Sequence, residues 1–359
     1  MTSSAAQGRL ASLDILRGLD LFLLLFFQPV VVAAIGASDT DGSSVLLWCL
    51  DHEVWEGFRP WDLVMPLFLF MTGAAMPFSF SGYLSGRKPR GKLYRRIARR
   101  VVVLFFFGMI VQGNLLALDP RHVYVYTNTL QAIAAGYLIA SVVMLNLGLR
   151  GQIAATAGLL AAYSLPMIIH GGYEPGNSFA FMVDKAVIGR FRGDVTYTWV
   201  WSSLTFGATV MMGALAGRMM RRSANREAVS CRMACIGVTL IIAGLALSPV
   251  EPIVKRIWTS TMTLYSGGWC FLLMALFYWW VDCRGCSRGL NWLKIYGMNP
   301  ITAYIIGEVI DFRSVVASVS YGLEPLLGAY YPVWLTFGNC LILFLILRMM
   351  YRRGVFLKV

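Results

Sequence analysis

Of the chain's 359 residues, 58% are hydrophobic and 14% charged, against about 25% charged in an ordinary soluble domain. That balance excludes a soluble enzyme and calls for a lipid bilayer as the chain's surroundings. The net charge of +13 would suit nucleic acid, but the cations cluster in loops between apolar runs, so no nucleic-acid partner is expected.

Apolar runs of roughly 20 residues, each able to cross a hydrocarbon core about 30 Å thick, are predicted at 18–37, 62–83, 101–118, 129–148, 151–170, 198–217, 233–249, 261–281, 291–311 and 331–350. The fold class that follows is all-α: one polytopic membrane helix bundle of about ten spans over 1–359. An even number of crossings leaves both ends on one side. The loop 84–100 carries Arg87, Lys88, Arg90, Lys92, Arg95, Arg96, Arg99 and Arg100, and 218–232 adds five more arginines. Alternation places 23 of the 31 Lys and Arg on that face, so the positive-inside rule puts both termini in the cytoplasm. Asp14 and Arg17 precede the first run and no small-residue cleavage site follows, which reads as an uncleaved segment. The basic loops set topology first; they also suit lipid headgroups or a polyanionic cytoplasmic cofactor.

Polar residues inside or beside these runs are costly unless they act. Asp14, Arg17 and Asp20 share a face of the first helix, either as an anchoring ion pair or as a receiver for an anionic group. Gln28 lies eleven residues beyond Arg17, roughly 16 Å deeper, and is followed by Pro29; together they suggest a polar tunnel. The stretch His52-Glu53-Val54-Trp55-Glu56-Gly57-Phe58-Arg59-Pro60-Trp61-Asp62 then gathers a histidine, three acids and an arginine between two apolar runs. A neutral imidazole is well suited to take a proton from an attacking amine or hydroxyl. One of Glu53, Glu56 or Asp62 can orient it; spacing does not say which.

His122 and His170 read as surface histidines. Asn128 and Gln131 open the fourth run, as helix caps or as part of a sugar site. Gly213 and Gly217 form a GxxxG, which permits close helix approach. Pro29, Pro66, Pro77, Pro166 and Pro300 mark places for kinks. Cys283 and Cys286 form a lone CxxC, from which neither a disulfide nor a metal site is inferred. Gly297-Met298-Asn299-Pro300 interrupts the ninth run ahead of Glu308, a pattern that fits a broken helix beside a cavity. No Walker loop, GxGxxG, GxSxG or metal-ligand cluster is present, which argues against nucleotide hydrolysis, Rossmann cofactors, serine hydrolysis and a metal.

Read together, Arg9-x-x-x-Leu13-Asp14-x-x-Arg17-Gly18 and His52-x-x-Trp55-x-Gly57-x-x-x-x-Asp62-Leu63-x-x-Pro66-x-Phe68-x-Phe70-x-x-Gly73 resemble the heparan-α-glucosaminide N-acetyltransferase family, above all its bacterial members. The likeness continues in Leu130-Gln131, Gly213-x-x-x-Gly217, Lys255-x-x-Trp258-Thr259-Ser260 and Gly297-Met298-Asn299. The resemblance implies a multi-pass bacterial inner-membrane acyltransferase. Such an enzyme moves acetyl from cytoplasmic acetyl-CoA, the acyl-donor substrate, to an amino sugar across the membrane. It implies His52, Asp62 and Gln28 at the chemistry. Asp14, Arg17 and Asn299 are then expected on acetyl-CoA, and Trp55, Gly57, Trp61, Asn128, Gln131, Trp258 and Glu308 on the acceptor. It also allows a homodimer. His52 is expected to act as a base rather than to carry the acetyl group, because a thioester is already activated. Gln28, Ala132 and Gly307 depart from the lysosomal pattern of Asn, Arg and His, which alters the acceptor contacts to be expected. Two rivals stand beside this reading: a sugar or glycolipid transporter or flippase, and an O-acetyltransferase of an envelope polysaccharide.

Overall fold

The structure is a computed structural model and describes residues 10–38, 45–193, 196–223 and 225–357. Arg9 and Lys358, counted in the basic bias, lie outside them. In chain order the helices are α1 (Ala11–Phe22), α2 (Gln28–Ala37), α3 (Val45–Leu50), α4 (Val64–Ser79), α5 (Ser81–Leu84), α6 (Arg90–Val111), α7 (Thr129–Asn146), α8 (Leu149–His170) and α9 (Phe179–Val187). They continue as α10 (Ser203–Arg222), α11 (Arg226–Leu247), α12 (Ser260–Phe277), α13 (Lys294–Met298), α14 (Pro300–Val309), α15 (Arg313–Ser320), α16 (Glu324–Leu327) and α17 (Tyr331–Arg352). The described strands are β1 (Tyr173–Glu174) and β2 (Asn177–Ser178), an antiparallel pair with Tyr173 opposite Ser178. Among the described residues the regular structure is otherwise helical, as expected.

Among the described residues, seven helical stretches are long and apolar enough to cross a bilayer: Ala11–Ala37, Pro60–Ser79, Thr129–Asn146, Leu149–His170, Arg226–Leu247, Ser260–Cys283 and Arg313–Arg352. They suggest a multi-pass integral membrane protein. The sequence reading counted ten, and the difference has physical causes. Arginines continue α6 outward by three turns before its apolar part begins. The α10 helix is rich in Gly, Thr and Ala because thirteen of its residues are buried by protein rather than lipid. The ninth run is split at Asn299 into α13 and α14.

The α10 helix is the axis of the bundle and packs on α4, α7 and α8. Its GxxxG does what small residues do in membranes, letting backbones touch. A methyl group added at Gly213 would collide with the Phe70 carbonyl, one at Gly217 with that of Ala74, and one at Gly73 of α4 with that of Val210. A second close approach joins α1 to α13, where Gly18 faces the Leu293 carbonyl and Gly297 that of Asp14. Between α1 and α2 the helix widens into a π turn over Leu23–Phe27. Pro29 lacks the N–H that would bond the Leu25 carbonyl, and the wider turn absorbs the mismatch. The expected break at this proline is thus a local widening.

Candidate active site

Two loops from distant parts of the chain dock to make the site. Residues 51–59 lead into α4, and 248–259 join α11 to α12. An antiparallel bridge pairs Glu56 with Val254, and the Gly57 N–H donates to the Ile253 carbonyl at 2.9 Å. Gly57 has φ +125°, a conformation that L side chains rarely adopt, so this turn requires glycine. The second loop is pinned in turn. Tyr163 donates its hydroxyl to the Ile257 carbonyl at 2.5 Å, and Glu251 accepts from the Ser164 hydroxyl at 2.7 Å and the Ser260 N–H at 3.3 Å. Burial raises the Glu251 carboxyl above its ordinary value, partly offset by these donors.

This docking brings Lys255 to His52, although 203 positions separate them. Asp62 sits on the turn Pro60–Leu63, whose first proline presets the backbone. Its Oδ2 accepts the N–H groups of Arg59 at 2.9 Å and Glu53 at 3.2 Å. Its Oδ1 lies 2.8 Å from His52 Nδ1 and 3.1 Å from Lys255 Nζ. Of the three acids that sequence left open, Asp62 therefore orients the imidazole. Glu53 is held by Arg59 Nε at 3.1 Å instead, and Glu56 contributes its backbone. A carboxylate oxygen at 2.8 Å from Nδ1 is attractive only when that nitrogen carries hydrogen. Lys255 Nζ lies 2.7 Å from the same nitrogen, so with Lys255 neutral Nδ1 donates to Asp62 and Nε2 keeps its lone pair, whereas an ammonium there would donate into Nδ1.

The Asp62 side chain is fully buried and that of Lys255 is 9% exposed, whereas that of His52 is 42% exposed. Lys255 Nζ stands 2.7 Å from Nδ1 and 3.3 Å from Nε2. Burial pulls the Lys255 ammonium down to about 8, with the Asp62 carboxylate opposing the fall. The cluster is thus one buried anion, one buried cation of lowered basicity, and an accessible ring between them.

His52 and Lys255 open onto a cavity of about 360 Å³, whose other walls include Trp61, Asn128, Tyr197, Trp199 and Glu308. A second cavity of about 170 Å³ lies beside it, lined by Arg17, Arg100, Ala75 and Pro300 among others. Phe68, Thr129 and Tyr304 belong to both walls. The arginines and the histidine therefore line two neighbouring chambers that share the side chains of Phe68, Thr129 and Tyr304. The cavity's far wall is set by Asp184, which accepts the N–H groups of Trp199 at 2.7 Å and Val200 at 2.9 Å; burial raises its carboxyl.

The expected residues divide accordingly. His52, Asp62, Trp61, Asn128 and Glu308 are brought together, and Arg17 lines the neighbouring chamber. Asp14 is buried beside Arg17, 3.9 Å away, and Asp20 is buried on the same helix. Gln28 is not among the cavity-lining residues; its amide donates to the Leu50 carbonyl at 3.3 Å, while Leu24, one turn earlier, faces the cavity. Asn128 caps α7, accepting the N–H groups of Leu130 and Gln131 and donating to the Gly108 carbonyl at 2.7 Å. Gln131 is fully buried, with its amide on Thr127 N–H and the Phe105 and Val125 carbonyls, so it braces the helix. Trp55 donates to the Tyr173 carbonyl at 2.9 Å. Trp258, with φ +54°, packs edge-on against Phe206 at 4.9 Å; both indoles support the loops from behind. Asn299 grips the segment after α17, donating to the Val355 carbonyl and accepting from the Leu357 N–H, both at 3.0 Å. Lys255, Arg100 and Tyr304 were not among the expected site residues. For Lys255 a signal existed: a lysine beside the Trp258 motif, in a loop on the cation-poor face.

No family model matches the chain. It is similar to heparan-alpha-glucosaminide N-acetyltransferase of Homo sapiens, with 22% identity over 371 aligned positions that cover 86% of this chain and 54% of the human protein. A shorter match to the Mus musculus protein of the same name is 27% identical over 119 positions, 33% of this chain and 16% of that protein. The chain thus spans about half the length of the human relative it matches.

Proposed function

From a distant homology that supports membership of the heparan-alpha-glucosaminide N-acetyltransferase family, we propose that the protein is an integral-membrane acyltransferase. It takes acetyl from acetyl-CoA on the arginine-rich side and delivers it to an amino sugar on the other. In this reading the chain crosses the bilayer ten times, with α6, α10 and the α13–α14 pair completing the seven apolar spans. Both termini are then cytoplasmic, in agreement with the 23 of 31 cations on that face. The observation that carries the proposal is the His52–Asp62–Lys255 cluster, on a cavity that shares three side chains with a neighbouring arginine-lined chamber.

Arg17 and Arg100 receive the phosphates of CoA, and the acyl arm passes Phe68, Thr129 and Tyr304 to reach His52. The acceptor lies in the outer cavity, where Trp61 and Trp199 give a sugar an aromatic wall and Glu308 and Asn128 offer polar groups. As the acceptor nitrogen attacks the thioester carbon, Nε2 of His52 takes its proton. Asp62 steadies the imidazolium through Nδ1–H. Lys255 Nζ, 3.3 Å from Nε2 and held by Asp62, turns to neutralise the oxyanion of the tetrahedral intermediate. Collapse breaks the C–S bond, and the imidazolium returns the proton to the departing thiolate. No metal is needed at any step.

The test is incubation of purified protein with labelled acetyl-CoA and a panel of amino sugars, read by mass spectrometry. N-acetylated product that disappears with His52→Ala supports the proposal. O-acetylated product would move the acceptor to a hydroxyl. No transfer to any acceptor, together with no thermal stabilisation by CoA, would leave the transporter reading standing.

A further inference from the structure

Away from the catalytic chambers, a cleft of about 710 Å³ runs between α8, α10, α11 and α12. We infer that this cleft binds an anionic phospholipid, an acyl chain lying along its floor and the phosphate resting on Arg218, Arg222 and Arg232. The floor is apolar along its length, built by Ile153, Leu160, Met212, Ile236, Leu264 and Phe271. All three guanidinium groups stand at one end, because α10 finishes at Arg222 and α11 begins at Arg226 beside it. Both Leu149 and Leu160 line the cleft, and their separation of eleven positions spans ~16 Å along a helix. That is about half of a ~30 Å hydrocarbon core, the depth of one leaflet.

Charge identifies the headgroup. Arg218 Nη1 donates to the neutral amide oxygen of Gln152 at 3.2 Å. Among the described residues, no carboxylate lies within ion-pair distance of Arg218, Arg222 or Arg232. Three arginines without a protein anion, set where a membrane presents its phosphates, form a site for an anion. A second, polar chamber of about 410 Å³ meets the cleft at Arg218 and Arg222 and is walled by Ser81, Ser85, Asn146 and Arg221. Apolar volume on one side, hydrogen-bonding volume on the other and cations between them fit an amphiphile with a polar headgroup. Neither volume shares a lining residue with the chambers of His52 or Arg17, so this ligand is distinct from acetyl-CoA.

Native mass spectrometry of the purified full-length protein tests the inference, with phosphatidylglycerol, acyl-matched phosphatidylcholine and inorganic phosphate as probes. Phosphatidylglycerol is expected to remain bound and phosphatidylcholine to be retained at least tenfold less. Inorganic phosphate and CoA should not displace the lipid. The triple variant Arg218→Gln, Arg222→Gln, Arg232→Gln should lose the preference for the anionic lipid. Ala157→Trp, which fills the cleft from an exposed position on α8 and spares every charge, should lower occupancy by either lipid. Equal retention of the two lipids overturns the inference, as does displacement by CoA. So does an Ala157→Trp variant that turns a dimer into a monomer with its lipids unchanged, which would make the cleft a seat for a second copy.

Discussion

His52 could be found from sequence because a histidine between membrane spans has few cheap explanations; Lys255 stood in a visible motif, but its pairing with His52 was hidden, because a tertiary contact across 203 positions leaves no spacing to read. Asp62 lay in between, one of three nearby acids, and only the Pro60 turn singles it out. The chemistry these residues are proposed to perform makes separable demands. His52→Ala removes the base and should lower transfer by roughly 10²- to 10⁴-fold with the folded protein intact. Asp62→Asn keeps the shape but frees the ring to take the other tautomer, and a loss of about 10²-fold or more is expected. Lys255 adds a pH signature. Burial holds its pKa near 8, below the unfolded value of 10.5, so between these limits the unfolded chain binds more protons at this position. Stability contributed by this group therefore rises with pH across that window and is lost as pH falls through about 8. The melting temperature of the wild type relative to Lys255→Met should climb between pH 8 and 10, and a constant difference would count against a buried, depressed lysine.

At the scale of elements, hydropathy found where apolar helices lie and missed where charged or small residues extend them. The α6 helix starts at Arg90, well before the apolar run expected from 101, because arginines propagate a helix as well as leucine does. The α10 helix hid part of its length among glycines that only its neighbours explain. The Gly297–Pro300 interruption was legible, since proline and asparagine in an apolar run leave few alternatives to a break. Two glycines test these packing claims in opposite ways. Gly213→Leu drives a side chain into the Phe70 carbonyl and should destabilise the bundle by about 1–3 kcal/mol or more, seen as a lower melting temperature in detergent. Gly57→Val sits in a loop at φ +125°, against Glu53. It should undock 51–59 from 251–259 and reduce transfer at least tenfold while melting changes little. Full activity in Gly57→Val would mean that the docked loops are not what positions Lys255.

For the molecule as a whole, sequence suggested a polar route through the bilayer by way of Gln28. The structure instead draws two neighbouring chambers that share Phe68, Thr129 and Tyr304, with Gln28 turned toward Leu50. No single segment carries such a route in its pattern, because its wall is assembled from α4, α7 and α14. Thr129→Trp should seal the wall. Thermal stabilisation by CoA is then expected to persist while transfer is lost, and transfer at wild-type rate would place the acyl path elsewhere. Arg17→Ala and Arg100→Ala should raise the KM for acetyl-CoA at least tenfold with kcat less affected, which a rate assay over donor concentration resolves.

The grip of Asn299 on Val355 and Leu357 has a practical corollary for anyone trimming this polypeptide. Those two residues dock directly on the hinge between α13 and α14, next to the chamber that Pro300 helps to line. Shortening the chain to Gly354 would strip the asparagine amide of both bonds and loosen the floor beneath the arginine-lined chamber.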